Sequence, residues 1–310
     1  MIVQVENLVK RYGNLLALDH LNLHIEKGEI FGLLGPNGSG KTTAINCILS
    51  LLTFDKGTIR LFDAPMSPDA YDLKRHIGVV MQNVAVFQEL TVYENIRYFC
   101  GLYIDDKRAC KRLTEEAIDF TGLADFASFY PKKLSGGLLR RLNIACGIAH
   151  KPQLIILDEP TVAVDPQSRN SILEGIVRLN AQGATVIYTS HYMEEVEQIC
   201  TRIAILDKGR VIASGTTDAL KGMIAGGETI NVEMFTLSDA QLATIRSWPQ
   251  VLDATYTDHQ LCVRCREGQH HLIALLDYFR QEDLQFGHVY TKQPTLNDVF
   301  LAITGKELRD

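Results

Sequence analysis

The nine residues GPNGSGKTT, positions 35–43, constrain this chain more tightly than any other stretch. They follow an apolar run, EIFGLL, and precede a helix-like one, AINCILSLL. With no side chain at Gly35, Gly38 and Gly40, the backbone can curl closely around an anion and turn its N–H groups inward. A helix starting near Lys41 adds the positive end of its dipole at the same point. Lys41 then supplies a point charge for the β- and γ-phosphates of a nucleotide, and the Thr42 hydroxyl a ligand for Mg²⁺. Pro36, Asn37, Ser39 and Thr43 complete the loop. The plainer alternative is a tight strand-to-helix turn, but the strand before and the helix after are the context that a phosphate loop requires.

EIFGLLG (29–35) is one of four such runs, with HIGVVMQ (76–82), QLIILDE (153–159) and TVIYTSH (185–191). Continuous apolarity predicts strands buried on both faces, hence a mostly parallel sheet covered by helices. Ligands of open α/β sheets bind beyond the carboxyl ends of the strands. Gly35, Gln82, Asp158 with Glu159, and His191 are therefore expected along one edge. Two adjacent acids there are costly to desolvate unless a cation compensates, and a nucleotide-bound Mg²⁺ would do so. Asp158 then holds the metal through water, while Glu159 orients and deprotonates a water that attacks phosphorus. His191 can reach the γ-phosphate end, and the neutral amide of Gln82 can bond a metal-bound water or the γ-phosphate. Tyr12, in KRYGN, offers a π-face suited to adenine. Taken singly, His191, Gln82 and Tyr12 read equally as ordinary packing or surface residues.

A second glycine motif opens LSGGLLRRLNIACGIAH, residues 134–150. Ser135 is a plausible N-cap, and Leu138, Leu142, Ala145 and Ala149 fall at helical spacing. In the order Tyr12, phosphate loop, Gln82, LSGG, Asp-Glu, His191, the sequence resembles the ATP-binding cassette (ABC) ATPases over about residues 1–215. In that resemblance Tyr12 is the A-loop aromatic, GPNGSGKT is Walker A and Gln82 the Q-loop. LSGG is the signature, LIILDE Walker B, Asp165 in VAVDP the D-loop, and His191 the switch histidine. It implies ATP and Mg²⁺ as cofactors, with Glu159 as general base, His191 and Lys41 at the γ-phosphate, and Thr42, Gln82 and Asp158 around the metal. It also implies two cassettes meeting head to tail. Ser135, Gly136 and Gly137 of one then close on the ATP held by the other, which is a second copy or a paralogue. Leu138 stands where many members have Gln, and VAVD replaces a leucine-containing D-loop; neither change removes a phosphate donor or an acid.

The expected fold is thus α/β: a P-loop cassette over 1–215, with a helical subdomain over about 83–150, followed by a small α+β domain at 216–310. Within the subdomain Thr91 and Glu94 form a capping box. The resemblance implies a groove there for a coupling helix of an integral-membrane permease subunit, lined by exposed Phe87, Val92, Tyr93 and Tyr98. After residue 215 the order strand, helix, two strands, helix, strand is the ferredoxin-like βαββαβ unit. A last helix, TLNDVFLAITGKELRD, follows. This tail resembles the C-terminal segment of drug exporter ATPases of the daunorubicin-resistance type, which favours export over import.

Charge and composition remove other classes. A net charge of −6 leaves no basic excess for a nucleic-acid backbone, and Lys132-Lys133 and Arg140-Arg141 read as solvated faces. MIVQVENLVKRYG lacks the cationic and apolar regions of a leader, and no window offers about 18 consecutive apolar residues. The chain is therefore expected at the cytoplasmic face of the membrane, peripheral, through its partner. Seven cysteines are an odd number, and Cys47, Cys100, Cys146 and Cys200 lie in apolar runs, which suits buried thiols in a reducing compartment. Cys262, Cys265, His270 and His271 suggest zinc, but the two cysteines point to opposite faces of a strand, so packing is expected. An importer ATPase remains an alternative. So does a soluble ABC ATPase acting on DNA or ribosomes, although those usually carry a long coiled coil or two cassettes in one chain.

Overall fold

The computed structural model describes residues 1–223, 228–266 and 271–305. Residues Met1–Thr217 form one compact unit, and a second begins at Asp218.

In the first unit, β1 (Val3–Tyr12) and β2 (Leu15–Ile25) form an antiparallel hairpin. The fully buried β3 (Ile30–Leu34) leads through the glycine loop into α1 (Lys41–Ile48). Then come β4 (Lys56–Leu61), β5 (Ala64–Pro65), the single turn α2 (Tyr71–Lys74) and β6 (Ile77–Val80). Three helices follow, α3 (Val92–Gly101), α4 (Lys107–Phe120) and α5 (Gly136–Ile148). The chain then alternates through β7 (Leu154–Asp158), α6 (Pro166–Ala181), β8 (Thr185–Ser190) and α7 (Met193–Ile199), and closes with β9 (Arg202–Asp207) and β10 (Arg210–Gly215).

One sheet is antiparallel, in the order β2-β1-β4-β5; the other has six strands in the order β10-β9-β3-β8-β7-β6. From β9 to β6 the pairing is parallel throughout, and β10 is an antiparallel edge. The four predicted strands are thus adjacent, β3-β8-β7-β6, and their carboxyl ends share one edge. Leu8, Leu21, Leu33, Ile45, Ile48 and Leu61 share a core that joins the two sheets to α1. Each such fully buried aliphatic side chain contributes about 1.5–3 kcal/mol.

The predicted capping box is present: Thr91 Oγ1 accepts from Glu94 N, and the Glu94 carboxylate accepts from Thr91 N. Val92 departs from expectation. It is wholly buried with Ile96, Leu113 and Leu142, because the chain returns and covers this helix end, Val92 N donating to Phe129 O at 2.9 Å. Tyr93 is half-buried, while Phe87 and Tyr98 are exposed as expected. Asn95, also wholly buried, accepts from Phe87 N at 2.8 Å and donates to the carbonyls of Phe87, Leu90 and Thr91, each at 3.0 Å. Replacing it with alanine would leave several of these backbone groups unpaired. Asn95→Ala is expected to lower stability by about 3 kcal/mol in urea unfolding; an unchanged midpoint would contradict the assignment.

In the second unit a short helix, α8 (Thr217–Lys221), is followed by β11 (Thr229–Met234), α9 (Asp239–Arg246), β12 (Val251–Thr257), β13 (Gln260–Cys265), α10 (His271–Gln281) and β14 (Phe286–Lys292). The antiparallel order β12-β13-β11-β14 is the ferredoxin-like arrangement expected from βαββαβ. Val232, Leu261, Val263, Leu275 and Phe279 fill its core. The last helix, α11 (Leu296–Thr304), starts at a Thr295–Asp298 capping box; its predicted continuation over 306–310 lies outside the described residues. Cys265 is buried with that core while Cys262 is half-exposed on the other face; His270 lies outside the described residues.

Candidate active site

The glycine loop closes where α1 begins. Gly40 caps the helix at φ 110°, and a β-carbon there would stand 2.8 Å from the Ala17 carbonyl oxygen of β2, so the turn needs glycine. Lys41 is buried: its ammonium donates to Gly35 O at 2.7 Å and Pro36 O at 3.3 Å, and lies 3.4 Å from Glu159 Oε1. Burial pulls the Lys41 pKa down, opposed by the charge and hydrogen bonding of Glu159 and by the charge of Asp158. Ser39 Oγ is buried without a hydrogen-bond partner among the described residues. A phosphate oxygen in the loop would be the acceptor such a hydroxyl lacks.

The two adjacent acids have separate surroundings. Asp158 is wholly buried, and both its oxygens accept hydroxyls, Oδ2 from Thr42 at 3.0 Å and Oδ1 from Thr189 at 2.6 Å. Glu159 has φ 49°, in the left-handed region that a residue with a side chain adopts rarely. Thr189 holds it there by accepting from its N–H at 2.9 Å. The side chain is thereby turned toward three other residues singled out in the sequence. Gln82 Nε2 donates to Glu159 Oε2 at 3.2 Å, His191 Nδ1 lies 3.5 Å from the same oxygen, and Lys41 faces Oε1. A carboxylate met by a cation, an amide and an imidazole is held in one orientation at the strand edge, beside the glycine loop.

Tyr12 is 48% exposed at the end of β1, with the Lys10 ammonium 5.2 Å from its ring centroid. It pairs with Leu15, two residues before the Ala17 that meets Gly40, so its hairpin flanks the loop.

LSGG stands apart from these groups. Ser135 caps α5 by accepting from Leu138 N at 3.3 Å, as its sequence predicts. A β-carbon on Gly137 would collide with Ser168 Oγ and come within 3.1 Å of Asp165 Oδ2. Asp165 caps α6 by accepting from Ser168 N at 2.9 Å, and its hydrogen bonds with Ser168 lower its pKa. Among the described residues no hydrogen bond or ion pair joins Ser135, Gly136 or Gly137 to residues 35–43 or to Glu159. The two glycine motifs are therefore separate within the described residues.

Two further residues shape the site. Thr189 holds both acids, yet in TVIYTSH it reads as one more strand residue. Arg140 overturns the expectation of a solvated pair: it is 7% exposed, and its Nη1 donates to Gln82 O at 2.8 Å and Met81 O at 3.3 Å. Burial lowers its pKa. The carbonyls that attract it lie 58 and 59 positions away, so charge pattern alone reads it as solvated. Lys132 and Lys133 are exposed as expected.

The Thr42 hydroxyl, the Gln82 side-chain oxygen and the Asp158 carboxylate are hard oxygen donors of the kind that suit a divalent cation. No group of three or more His, Cys, Asp or Glu among the described residues could hold a metal by itself. A cation here would complete its shell from phosphate oxygens, as small divalent ions do at nucleotide sites.

Residues 18–162 match the family described as ABC transporter. Over the whole of both chains this one is 38% identical to the linearmycin resistance ATP-binding protein LnrL of Bacillus subtilis (strain 168). It is 35% identical to the daunorubicin/doxorubicin resistance ATP-binding protein DrrA of Streptomyces peucetius, over 99% of this chain and 94% of that one. A solved dimeric, post-hydrolysis state of the ATP-binding cassette MJ0796, bound to ADP and Pi, is similar with a TM-score of 0.64 and 28% identity. It covers 69% of this chain and 98% of that one.

Proposed function

The chain belongs to the ABC transporter family of ATP-binding proteins, and from that premise we propose that it is the ATP-hydrolysing subunit of an exporter of the antibiotic-resistance type. The observation that carries this is the convergence of Lys41, Gln82 and His191 on Glu159, beside an Asp158 that Thr42 and Thr189 hold in place.

Lys41 and the amides of residues 35–43 stabilise charge on the β- and γ-phosphates of ATP. Glu159 is the general base, since Asp158 is assigned to the metal; it takes the proton of the attacking water. His191 meets the γ-phosphate, and Tyr12 stacks on adenine. Thr42, Gln82 and Asp158 would hold Mg²⁺, which when bound neutralises phosphate charge. Ser135, Gly136, Gly137 and Asp165 serve the ATP of a second cassette, a second copy of the chain or a paralogue. Binding of ATP closes the pair, and hydrolysis to ADP and phosphate opens it.

In this account residues 1–215 are the nucleotide-binding domain, 83–150 its helical subdomain, and 216–310 an accessory domain. Exposed Phe87 and Tyr98, whose rings meet edge-on at 4.9 Å, are where a permease subunit docks. No helix among the described residues is long and apolar enough to cross a membrane. In this account separate permease subunits hold the chain at the cytoplasmic face. Affinity capture from detergent-solubilised membranes is expected to recover a polytopic membrane protein with no lipoprotein or periplasmic receptor. Recovery of such a receptor would favour import, and recovery of ribosomes or DNA would overturn the transport role.

A further inference from the structure

Glu195, in the first turn of α7 and four residues after His191, is 3% exposed. Its Oε2 accepts three hydroxyls: Tyr188 at 2.6 Å, Thr161 at 2.8 Å and Ser190 at 3.0 Å. Burial, then the Glu195 charge, pushes the Tyr188 hydroxyl well above its usual range, so it serves as a donor. Glu195 Oε1 lies 3.2 Å from Arg169 Nε, an ion pair without hydrogen-bond alignment. A buried carboxylate of this kind is weak evidence of added stability, since apolar packing of similar volume often serves as well.

Its partners sit on elements that carry the site. Tyr188 and Ser190 end β8, immediately before His191; Thr161 follows Glu159 by two residues; and Arg169 lies in the first turn of α6. Ser190 Oγ also accepts from Tyr192 N at 2.9 Å, and the Tyr192 ring lies 4.1 Å from that of His191 and 5.0 Å from the Arg169 guanidinium. Both chain neighbours of His191 are thus tied to one cluster. On the other side Arg169 adjoins Ser168, which packs against Gly137 and donates its N–H to Asp165.

We propose that Glu195 is a positioning residue, joining the turn that carries His191 to the head of α6 that supports Asp165 and LSGG. The groups that address the chain's own nucleotide are thereby fixed relative to those lent to a second chain. This role rests on the ATPase function proposed above.

Glu195→Gln keeps an oxygen for the three hydroxyls and removes the charge facing Arg169; Arg169→Met removes the charge from the other side. In the full chain, Glu195→Gln is expected to leave ATP affinity and KM within about twofold and to lower kcat about tenfold, the size of loss that a small misplacement of reacting groups brings. Arg169→Met should show a similar loss, and the double variant should fall no further than either single one. A packing role alone would lower Tm and leave kcat unchanged at temperatures where every variant is folded. Wild-type kcat in Glu195→Gln, or losses that multiply in the double variant, would overturn the proposal while leaving the ATPase function intact. Lack of hydrolysis by the wild-type chain would overturn that function and the proposal with it. If Glu195→Gln does not fold, Arg169→Met decides alone, since its side chain is a third exposed: a tenfold loss of kcat supports the link, and wild-type kcat overturns it.

Discussion

Glu159→Gln is expected to bind ATP about as well as the wild type and to hydrolyse it at least ~10²-fold more slowly, within the range that general-base catalysis supplies. The amide is nearly isosteric, and its oxygen can still accept from Gln82 Nε2, which the carboxylate now does at 3.2 Å. What it loses is the capacity to take a proton. Lys41 loses the charge that partly offsets its burial, but keeps the carbonyls of Gly35 and Pro36. Single-turnover hydrolysis of labelled ATP, with affinity measured separately, distinguishes this from a binding defect. Turnover at the wild-type rate would remove Glu159 from the role assigned to it.

The second large effect is expected at a residue that touches none of the groups around Glu159. Ser135→Arg should leave the affinity of the isolated chain for ATP within about threefold and lower turnover at least ~10²-fold. The Ser135 hydroxyl accepts from Leu138 N within its own helix, so the phosphate loop of the same chain does not depend on it. Loss of the cap costs about 1 kcal/mol, which a folded domain of this size tolerates. Under the proposed function, the large effect comes from placing a long side chain where two cassettes close on one nucleotide. Ser135→Thr, which keeps a capping hydroxyl, separates the cap from the bulk and should retain most activity. Normal turnover in Ser135→Arg would mean that LSGG is only a helix start.

The parts of the molecule that were legible in the sequence are those written locally. Buried strands read as continuous apolar runs, and a loop that wraps phosphate needs glycines and a lysine at fixed offsets; both are visible within ten residues. That is why β3, β6, β7 and β8, and the placement of the residues at their ends, follow from the sequence. Two further strands of the same sheet, β9 and β10, end in none of these residues, and β10 is a partly exposed edge. Contacts between distant segments are not written in this way. Arg140 is buried because strand-end carbonyls some sixty residues earlier accept from it, and Val92 because residues 127–129 return across the start of α3. The Glu195 cluster draws on four separated segments, and MEEVEQIC shows only a helix with acids in its first turn.

The central claim is that one chain holds half of each of two sites, which a second copy of it completes. It is tested most directly by light scattering of Glu159→Gln with ATP, with ADP, and after adding Ser135→Arg in the same chain. Two chains per particle with ATP, one with ADP, and one when Ser135→Arg is present are the predicted result. A particle whose mass is the same with ATP as with ADP would contradict it.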